Sequence, residues 1–126
     1  IDRRLPDTIS KTPQSDKERI FNLAGKTDLV ELSYVISRAK GVVSNDSSPI
    51  HFASAHNIPT VMIYGATVPD FGYSTLSDKQ YLAQVDGLSC RPCGIHGGKV
   101  CPEKHFKCMK DQNIDLMFQK LLELIG

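Results

Sequence analysis

The chain has 126 residues, 40% of them hydrophobic, a size that suits one ordinary buried core rather than two. Its 15 Lys and Arg residues nearly balance its 14 Asp and Glu residues, which excludes the strong positive field of a nucleic-acid groove or a binder of anionic bilayers. No apolar run approaches the roughly 20 residues that span a bilayer, and the amino terminus lacks a signal-peptide core, so we expect a soluble, cytoplasmic protein.

The amino-terminal part of the chain contains few periodic segments. Residues 1–19 are polar, hold two prolines and lack periodicity, so they are predicted to be a loop or linker. Ile20 to Leu23 are predicted to form a short strand. Asp28, followed three residues later by Glu31, is a capping-box pattern, and the apolar residues after it have helical spacing up to Ala39.

The rest of the chain alternates between strand and helix patterns. The predicted strands are 41–44, 60–64 and a short 81–85, and the predicted helices are 49–56 and 114–125. Because the run at 60–64 is apolar at successive positions, it is typical of a parallel strand buried on both faces. The sequence therefore predicts an α/β fold, a Rossmann-like open parallel sheet with helices on both faces. In such sheets ligands bind at the carboxyl ends of the strands.

The sequence Asn-Asp-Ser-Ser-Pro-Ile-His at 45–51 lies between a predicted strand and a predicted helix. At this kind of turn the first amides of the helix lack intrahelical partners and attract anions. Ser48 suits the N-cap, and Pro49 suits the first helical position. The groups predicted to face a diphosphate are Ser47, Ser48 and the amides of Ile50 and His51.

Several motifs together resemble one known family. They are Asn45–Ala53, Pro59–Val61, Tyr64–Pro69, Cys90-Arg-Pro-Cys93, Cys101-Pro102 and Cys108-Met109. From about Phe21 to Leu124 the chain resembles the carboxyl-terminal half of the ADP-heptose:lipopolysaccharide heptosyltransferases, glycosyltransferase family 9. The resemblance implies the two-domain type B glycosyltransferase architecture. Residues 20–126 are then a nucleotide-sugar-binding domain, and the amino-terminal acceptor domain is expected to lie outside this sequence, which does not begin with Met.

The resemblance also implies which residues bind the donor. Asp46 to His51 match the family's Asp-Thr/Ser-Gly-x-x-His segment, which holds the diphosphate and sugar. Thr27 matches a position beside the nucleoside, and Gly65 and Thr67 match a Gly-Pro-Thr loop near the sugar. The implied donor-binding residues are Thr27, Asp46, Ser47, Ser48, His51, Gly65 and Thr67. The sequence departs from the family where Ser48 replaces Gly, Ala66 replaces Pro and Val68 replaces Asp.

The activity implied by the resemblance is transfer of heptose from ADP-heptose to the lipopolysaccharide inner core. The reaction is expected to invert the anomeric centre, to need neither metal nor cofactor, and to occur at the cytoplasmic face of the inner membrane, with peripheral membrane contact. The catalytic base is implied to be an aspartate of the missing half. We therefore expect the chain alone to be inactive and assign it no catalytic residue.

Each of these residues also has a structural interpretation, and the cysteines suggest a rival function. Asp46 and Thr67 are residue types that also stabilise turns, and His51 can simply pack on the sheet. Cys90 and Cys93 have the C-x-x-C spacing of zinc knuckles, with Cys101 and Cys108 nearby. Free thiols, structural zinc, a disulfide or an iron–sulfur site all remain open, and no metal ligand is assigned. The alternative functions are a non-catalytic, zinc-stabilised interaction module and another sugar-nucleotide enzyme of the same architecture, such as a 2-epimerase.

Overall fold

The computed structural model describes residues 13–14 and 18–126 of the chain. The predicted loop or linker over residues 1–19 therefore falls largely outside the described residues. The chain divides into two compact units, Ile1–Leu32 and Ser33–Gly126. Across the described residues, none of the helices has the length and apolar character that crossing a lipid bilayer requires.

The regular elements of the described residues follow the predicted alternation. In chain order they are α1 (Leu29–Ser37), β1 (Val42–Asn45), α2 (Ser48–Ala55), β2 (Thr60–Ile63), a 3₁₀ turn (Pro69–Phe71), β3 (Gln80–Ala83), α3 (Lys107–Lys110) and α4 (Ile114–Ile125). The three predicted strands after residue 40 and all predicted helices are found, within one or two residues at most ends. The 3₁₀ turn and the short helix α3 had no counterpart in the prediction.

The start of α1 is the capping box that the sequence predicts. The Asp28 N–H donates to Glu31 Oε2 at 2.9 Å, and the Glu31 N–H donates to Asp28 Oδ1 at 2.8 Å. Each side chain thus satisfies an amide that has no partner within the helix. This reciprocal pair fixes the first turn of α1.

The predicted strand from Ile20 to Leu23 is wrong. These residues lie outside any strand, and the side chain of Phe21 is 80% exposed. Local hydrogen bonds form here instead of strand pairing. Asn22 Oδ1 accepts from the Ala24 N–H at 3.0 Å, and the Leu23 carbonyl accepts from the Lys26 N–H at 3.0 Å. Because Asn bonds to nearby backbone, it competes with sheet pairing and favours a turn here.

The sheet contains three parallel strands in the order β1-β2-β3. Its register pairs Asn45 of β1 with Ile63 of β2, and Ile63 with Ala83 of β3. All three strands therefore end at the same edge of the sheet. The segments that follow them emerge side by side along this edge, which we call the carboxyl edge.

Helices cover both faces of the sheet, and β2 supplies the centre of each core. Met62 packs with Ile50 of α2 on one face, and Val61 packs with Ala83 and with Met117 of α4 on the other. Successive residues of a strand point to opposite faces, which is why the neighbouring residues Val61, Met62 and Ile63 of β2 are all apolar. The predicted fold class, a Rossmann-like parallel sheet with helices on both faces, is confirmed.

Helix α4 is fixed at its start and along its length. Asn113 is its N-cap, and Asn113 Oδ1 accepts from the Leu116 N–H at 2.9 Å. Gly41, just before β1, approaches α4 so closely that an added Cβ would lie 2.8 Å from Ile125 Cγ2 and 2.9 Å from Leu121 Cδ1. A larger residue would push against the Ile125 and Leu121 side chains, so glycine permits this close approach.

Candidate functional site

A cavity of about 260 Å³ opens at the carboxyl edge of the sheet. The segments that follow β1 and β2 contribute Asn45, Asp46, Ile63, Gly65, Ala66 and Thr67 to its lining. We call this cavity the Asp46 pocket. It combines two segments that are about 20 residues apart in the sequence, because β1 and β2 are neighbours and run parallel. Three predicted site residues, Asp46, Gly65 and Thr67, therefore share one cavity.

Asp46 and Thr67 contact each other within this pocket. The Thr67 hydroxyl donates to Asp46 Oδ2 at 3.4 Å, a long bond, and Thr67 is only 8% exposed. Asp46 itself is half-buried. The carboxylate thus keeps acceptor capacity that hydroxyl groups of a ligand can use.

Arg91 holds the loop after β2 in place. Its Nη2 donates to the Thr67 carbonyl at 2.7 Å, and its Nη1 donates to the Val85 carbonyl just beyond β3 at 2.8 Å. Its Nε is buried without a hydrogen-bond partner within the described part of the chain. Bonds from one guanidinium to two carbonyls tie the segments after β2 and β3 together, so the backbone of Thr67 is fixed from behind.

A second wall of the Asp46 pocket comes from a segment that carries all four cysteines, residues 90–109, which we call the cysteine segment. It contributes His96, Gly97, Gly98, Phe106 and Met109. None of these residues was predicted from the sequence to belong to the site. The local signals were the family-like motif Cys108-Met109 and a histidine among glycines, Gly94-Ile-His-Gly-Gly98, a pattern typical of a loop.

Backbone contacts hold the cysteine segment against the loop after β2. The Cys93 N–H donates to the Ala66 carbonyl at 2.8 Å. A Cβ on Gly65 would lie 2.5 Å from Met109 Sδ, so glycine lets the two segments meet. Just beyond the segment, Gln112 Nε2 donates to the Tyr64 carbonyl at 2.9 Å. The pocket is therefore closed by residues distant in sequence.

The predicted N-cap at Ser48 is wrong by one residue. Helix α2 begins at Ser48 with Ser47 as N-cap, so Pro49 occupies the second helical position. The Ser47 hydroxyl makes no capping bond; it donates to the Asn45 carbonyl at 3.3 Å and lies 3.2 Å from Ser44 Oγ. Because β1 extends to Asn45 and its end supplies these partners, the side chain turns back toward the strand.

The start of α2 presents fewer free groups than the sequence predicts. The Ile50 N–H already donates to the Ser47 carbonyl at 3.1 Å, so the predicted exposure of this amide to a diphosphate is wrong. Ser47 and Ser48 are both exposed, and neither lines the Asp46 pocket. Their hydroxyls lie at the surface, directly after the pocket-lining residues Asn45 and Asp46 in the sequence.

His51 lies in a different cavity. Together with Ser54, Ala55, Gly72, Tyr73, Ser74 and Leu76 it lines a space of about 380 Å³ between α2 and the segment that follows the 3₁₀ turn. Four residues separate Asp46 from His51, and helix α2 turns His51 toward another face. The structure therefore does not bring His51 into the Asp46 pocket.

Tyr64 connects β2 to the wall of this second cavity. Its hydroxyl lies 2.7 Å from Ser74 Oγ, and the residue is fully buried. Burial raises the pKa of the Tyr64 phenol, the Ser74 hydrogen bond lowers it, and the negative charge of Asp46 raises it again. Tyr64 is therefore a neutral hydrogen-bonding group of the core.

Thr27 belongs to the unit Ile1–Leu32, not to the unit that contains the Asp46 pocket. It is half-buried and directly precedes the capping box of α1. The structure thus gives Thr27 a local position at a helix start.

The four cysteines are free thiols; three are half-buried and Cys108 is buried. Burial raises the pKa of the Cys108 thiol, and the neighbouring thiols of Cys93 and Cys101 raise it further. Among the described residues, no group of three or more His, Cys, Asp or Glu side chains is arranged to hold a metal ion. Cys90 Sγ lies 3.9 Å from His105 Nε2, a weak polar contact between two residues of the segment.

Comparisons with known proteins point to one family. The model of "Glycosyltransferase family 9 (heptosyltransferase)" matches residues 7–106. Lipooligosaccharide heptosyltransferase 2 of Campylobacter jejuni subsp. jejuni serotype O:6 is 29% identical over 123 residues, covering 98% of this chain and 38% of the relative. Lipooligosaccharide heptosyltransferase 2 of Haemophilus influenzae is 43% identical over 117 residues, covering 90% of this chain and 32% of the relative.

A shorter match concerns lipopolysaccharide heptosyltransferase 2 of Escherichia coli, which is 46% identical over 50 residues, 40% of this chain and 14% of the relative. The chain therefore spans well under half the length of these curated relatives. No solved structure matches the chain significantly.

Proposed function

Because the chain belongs to glycosyltransferase family 9, we propose that it forms the donor-binding part of an enzyme that transfers heptose from ADP-heptose to the inner core of lipopolysaccharide. The names of the relatives, lipooligosaccharide and lipopolysaccharide heptosyltransferase 2, support this choice of sugar and acceptor. The proposed donor-binding domain is residues 20–126, the carboxyl-terminal half of a type B glycosyltransferase, with residues 1–19 as a linker. The acceptor is then bound by a second domain, at the cytoplasmic face of the inner membrane.

One observation carries the proposal. Asp46 belongs to one family-like motif and Gly65 and Thr67 to another, and all three line the same cavity at the carboxyl edge. This edge is where parallel α/β sheets bind nucleotides and their sugars. The parallel pairing of β1 and β2 brings these separate motifs to one cavity, where a single donor can contact both.

The chemistry of the Asp46 pocket suits the sugar end of such a donor. A carboxylate repels a diphosphate but accepts hydrogen bonds from sugar or ribose hydroxyls. Asp46 already accepts one such bond from the Thr67 hydroxyl. We assign Asp46, Gly65 and Thr67 to the sugar, Ser47, Ser48 and His51 to the diphosphate end, and Thr27 to the nucleoside.

The proposed reaction is an inverting displacement at the anomeric carbon of the heptose. An acceptor hydroxyl forms the new bond as the bond to ADP breaks, so negative charge develops on the departing diphosphate while a base takes the acceptor's proton. The base is proposed to lie in the acceptor domain. The chain alone should therefore bind donor without transferring sugar.

Calorimetric titration of the full-length protein with ADP, UDP and ADP-heptose tests the proposal. We expect ADP to bind more tightly than UDP, and ADP-heptose to bind more tightly than ADP. In Asp46→Ala and in the matched, uncharged Asp46→Asn, ADP-heptose should lose its affinity advantage over ADP. The expected loss is about tenfold in the affinity for ADP-heptose, the effect of one charge-assisted hydrogen bond. Preference for UDP would assign the fold to another sugar-nucleotide enzyme. Equal binding of ADP and ADP-heptose by the wild type would refute the assignment of the Asp46 pocket to the sugar.

A further inference from the structure

The cysteine segment brings a chemical group to the Asp46 pocket that the strand ends lack. The strand ends supply one carboxylate at Asp46, the amide of Asn45 and the hydroxyl of Thr67. Among the described residues that line the pocket, His96 is the only basic side chain. An imidazole donates hydrogen bonds to anionic oxygens, which Asp46 cannot do.

The backbone around His96 is held close to the loop after β2. Gly97 has a left-handed φ of +67°, and a Cβ added there would lie 3.0 Å from the Ala66 Cβ. The Cys93 N–H donates to the carbonyl of the same Ala66 at 2.8 Å. Only glycine takes this backbone shape at this distance without strain. His96 is thereby placed at the pocket rim, while its own side chain remains exposed and free to meet a ligand.

The remaining side chains of the second wall are apolar. Phe106 and Met109 line the pocket beside the glycines. A negatively charged group that enters from this side meets one polar partner, His96, and is kept from Asp46 by charge repulsion. The two walls therefore separate hydroxyl-binding from anion-binding chemistry.

We propose that His96 contacts the diphosphate of the nucleotide-sugar donor from the second wall of the Asp46 pocket, while Asp46 takes the sugar hydroxyls. This assignment rests on the proposed function, since it concerns the same donor. It adds a ligand contact from a segment outside the strand ends. Specificity for a diphosphate-linked sugar then depends on two walls that are more than 25 residues apart along the chain.

The test is calorimetric titration of the full-length protein with ADP, for the wild type and three variants. His96→Ala removes the donor group, and His96→Gln keeps an N–H donor on an uncharged side chain. Lys99→Ala is the matched control, because it removes a positive charge from the same exposed segment at a position that does not line the pocket. Thermal unfolding of each variant shows whether the fold is kept.

We expect His96→Ala to weaken ADP binding about tenfold, the effect of losing one hydrogen bond to a charged group. His96→Gln should retain part of the affinity, and Lys99→Ala should bind within about twofold of the wild type, as a screened surface charge does. Unchanged ADP binding by His96→Ala, or an equal loss in Lys99→Ala, would overturn the inference while leaving the proposed function intact. Failure of the wild type to bind ADP would overturn both.

Discussion

A single methyl group at Gly65 gives a direct test of the Asp46 pocket. A Cβ there would lie 2.5 Å from Met109 Sδ and 3.1 Å from Met109 Cγ, well inside contact distance. Those atoms belong to a flexible side chain that lines the cavity, so Gly65→Ala should displace Met109 within the pocket rather than distort the sheet. Overpacking typically costs about 1–3 kcal/mol, and we expect the lower end because Met109 can change rotamer.

This cost corresponds to a fall in Tm of about 4 °C for each kcal/mol in a domain of this size. Gly65→Ala should also weaken donor binding, because the cavity measures only about 260 Å³ and the displaced thioether of Met109 would occupy part of it. We expect ADP-heptose binding to weaken at least about tenfold, equivalent to about 1.4 kcal/mol. Adding Met109→Ala to Gly65→Ala removes the clash and should restore part of the affinity.

Gly41→Ala is the matched control for this experiment. Its Cβ would meet Ile125 at 2.8 Å and Leu121 at 2.9 Å, but Gly41 precedes β1, at the end of the sheet opposite the carboxyl edge. This variant should lose stability without losing affinity for ADP-heptose. Thermal unfolding and calorimetry on both variants separate the two effects. The reasoning fails if Gly65→Ala binds the donor as the wild type does, or if Gly41→Ala loses as much affinity.

Three further predictions concern the core and the thiols. Asn113→Ala removes the acceptor of the Leu116 N–H and should lower the free energy of unfolding by about 1 kcal/mol in urea denaturation; an unchanged midpoint would contradict the cap. Cys108 should be alkylated by iodoacetamide more slowly than the other three cysteines, because burial limits access and raises its pKa, and equal rates in mass spectrometry would contradict this. Burial raises the pKa of Tyr64 in the folded protein. The neutral phenol therefore stabilises the fold fully at pH values below the unfolded-state pKa of about 10, and this stabilisation is lost as the pH rises through the higher folded-state pKa. Tyr64→Phe should remove the Ser74 hydrogen bond and flatten the fall in Tm above about pH 10; an unchanged slope would show that another group causes it.

The parts of the fold that the sequence predicts are those where local pattern and burial agree. β2 is buried on both sides, which favours the continuous apolar run from Val61 to Ile63. The capping box at Asp28 and Glu31 needs no distant partner, since both of its bonds are local. The apparent strand at 20–23 fails for the converse reason: a strand exists only where another strand pairs with it, and strand propensity does not report a partner.

The same distinction applies to the candidate site. Asp46 and Thr67 could be placed together because the parallel order of β1 and β2 brings their ends to one edge. His96 could not, because its position depends on contacts made elsewhere in the segment, such as those of Arg91 with Thr67 and of Cys93 with Ala66. Such contacts leave no periodic trace in the sequence.

The placement of Asp46 and His51 in separate cavities limits which ligand can use both. Asp46 lies at the carboxyl edge, whereas His51 faces the space between α2 and the segment that contains Ser74. A lone sugar or a lone phosphate fits within one cavity and gains nothing from the other. A nucleotide sugar joins a nucleoside, a diphosphate and a sugar in one extended molecule, so it can contact residues on both sides of the start of α2. The proposed donor would therefore use both cavities only as a linked molecule, in which two weak contacts combine into one stronger one.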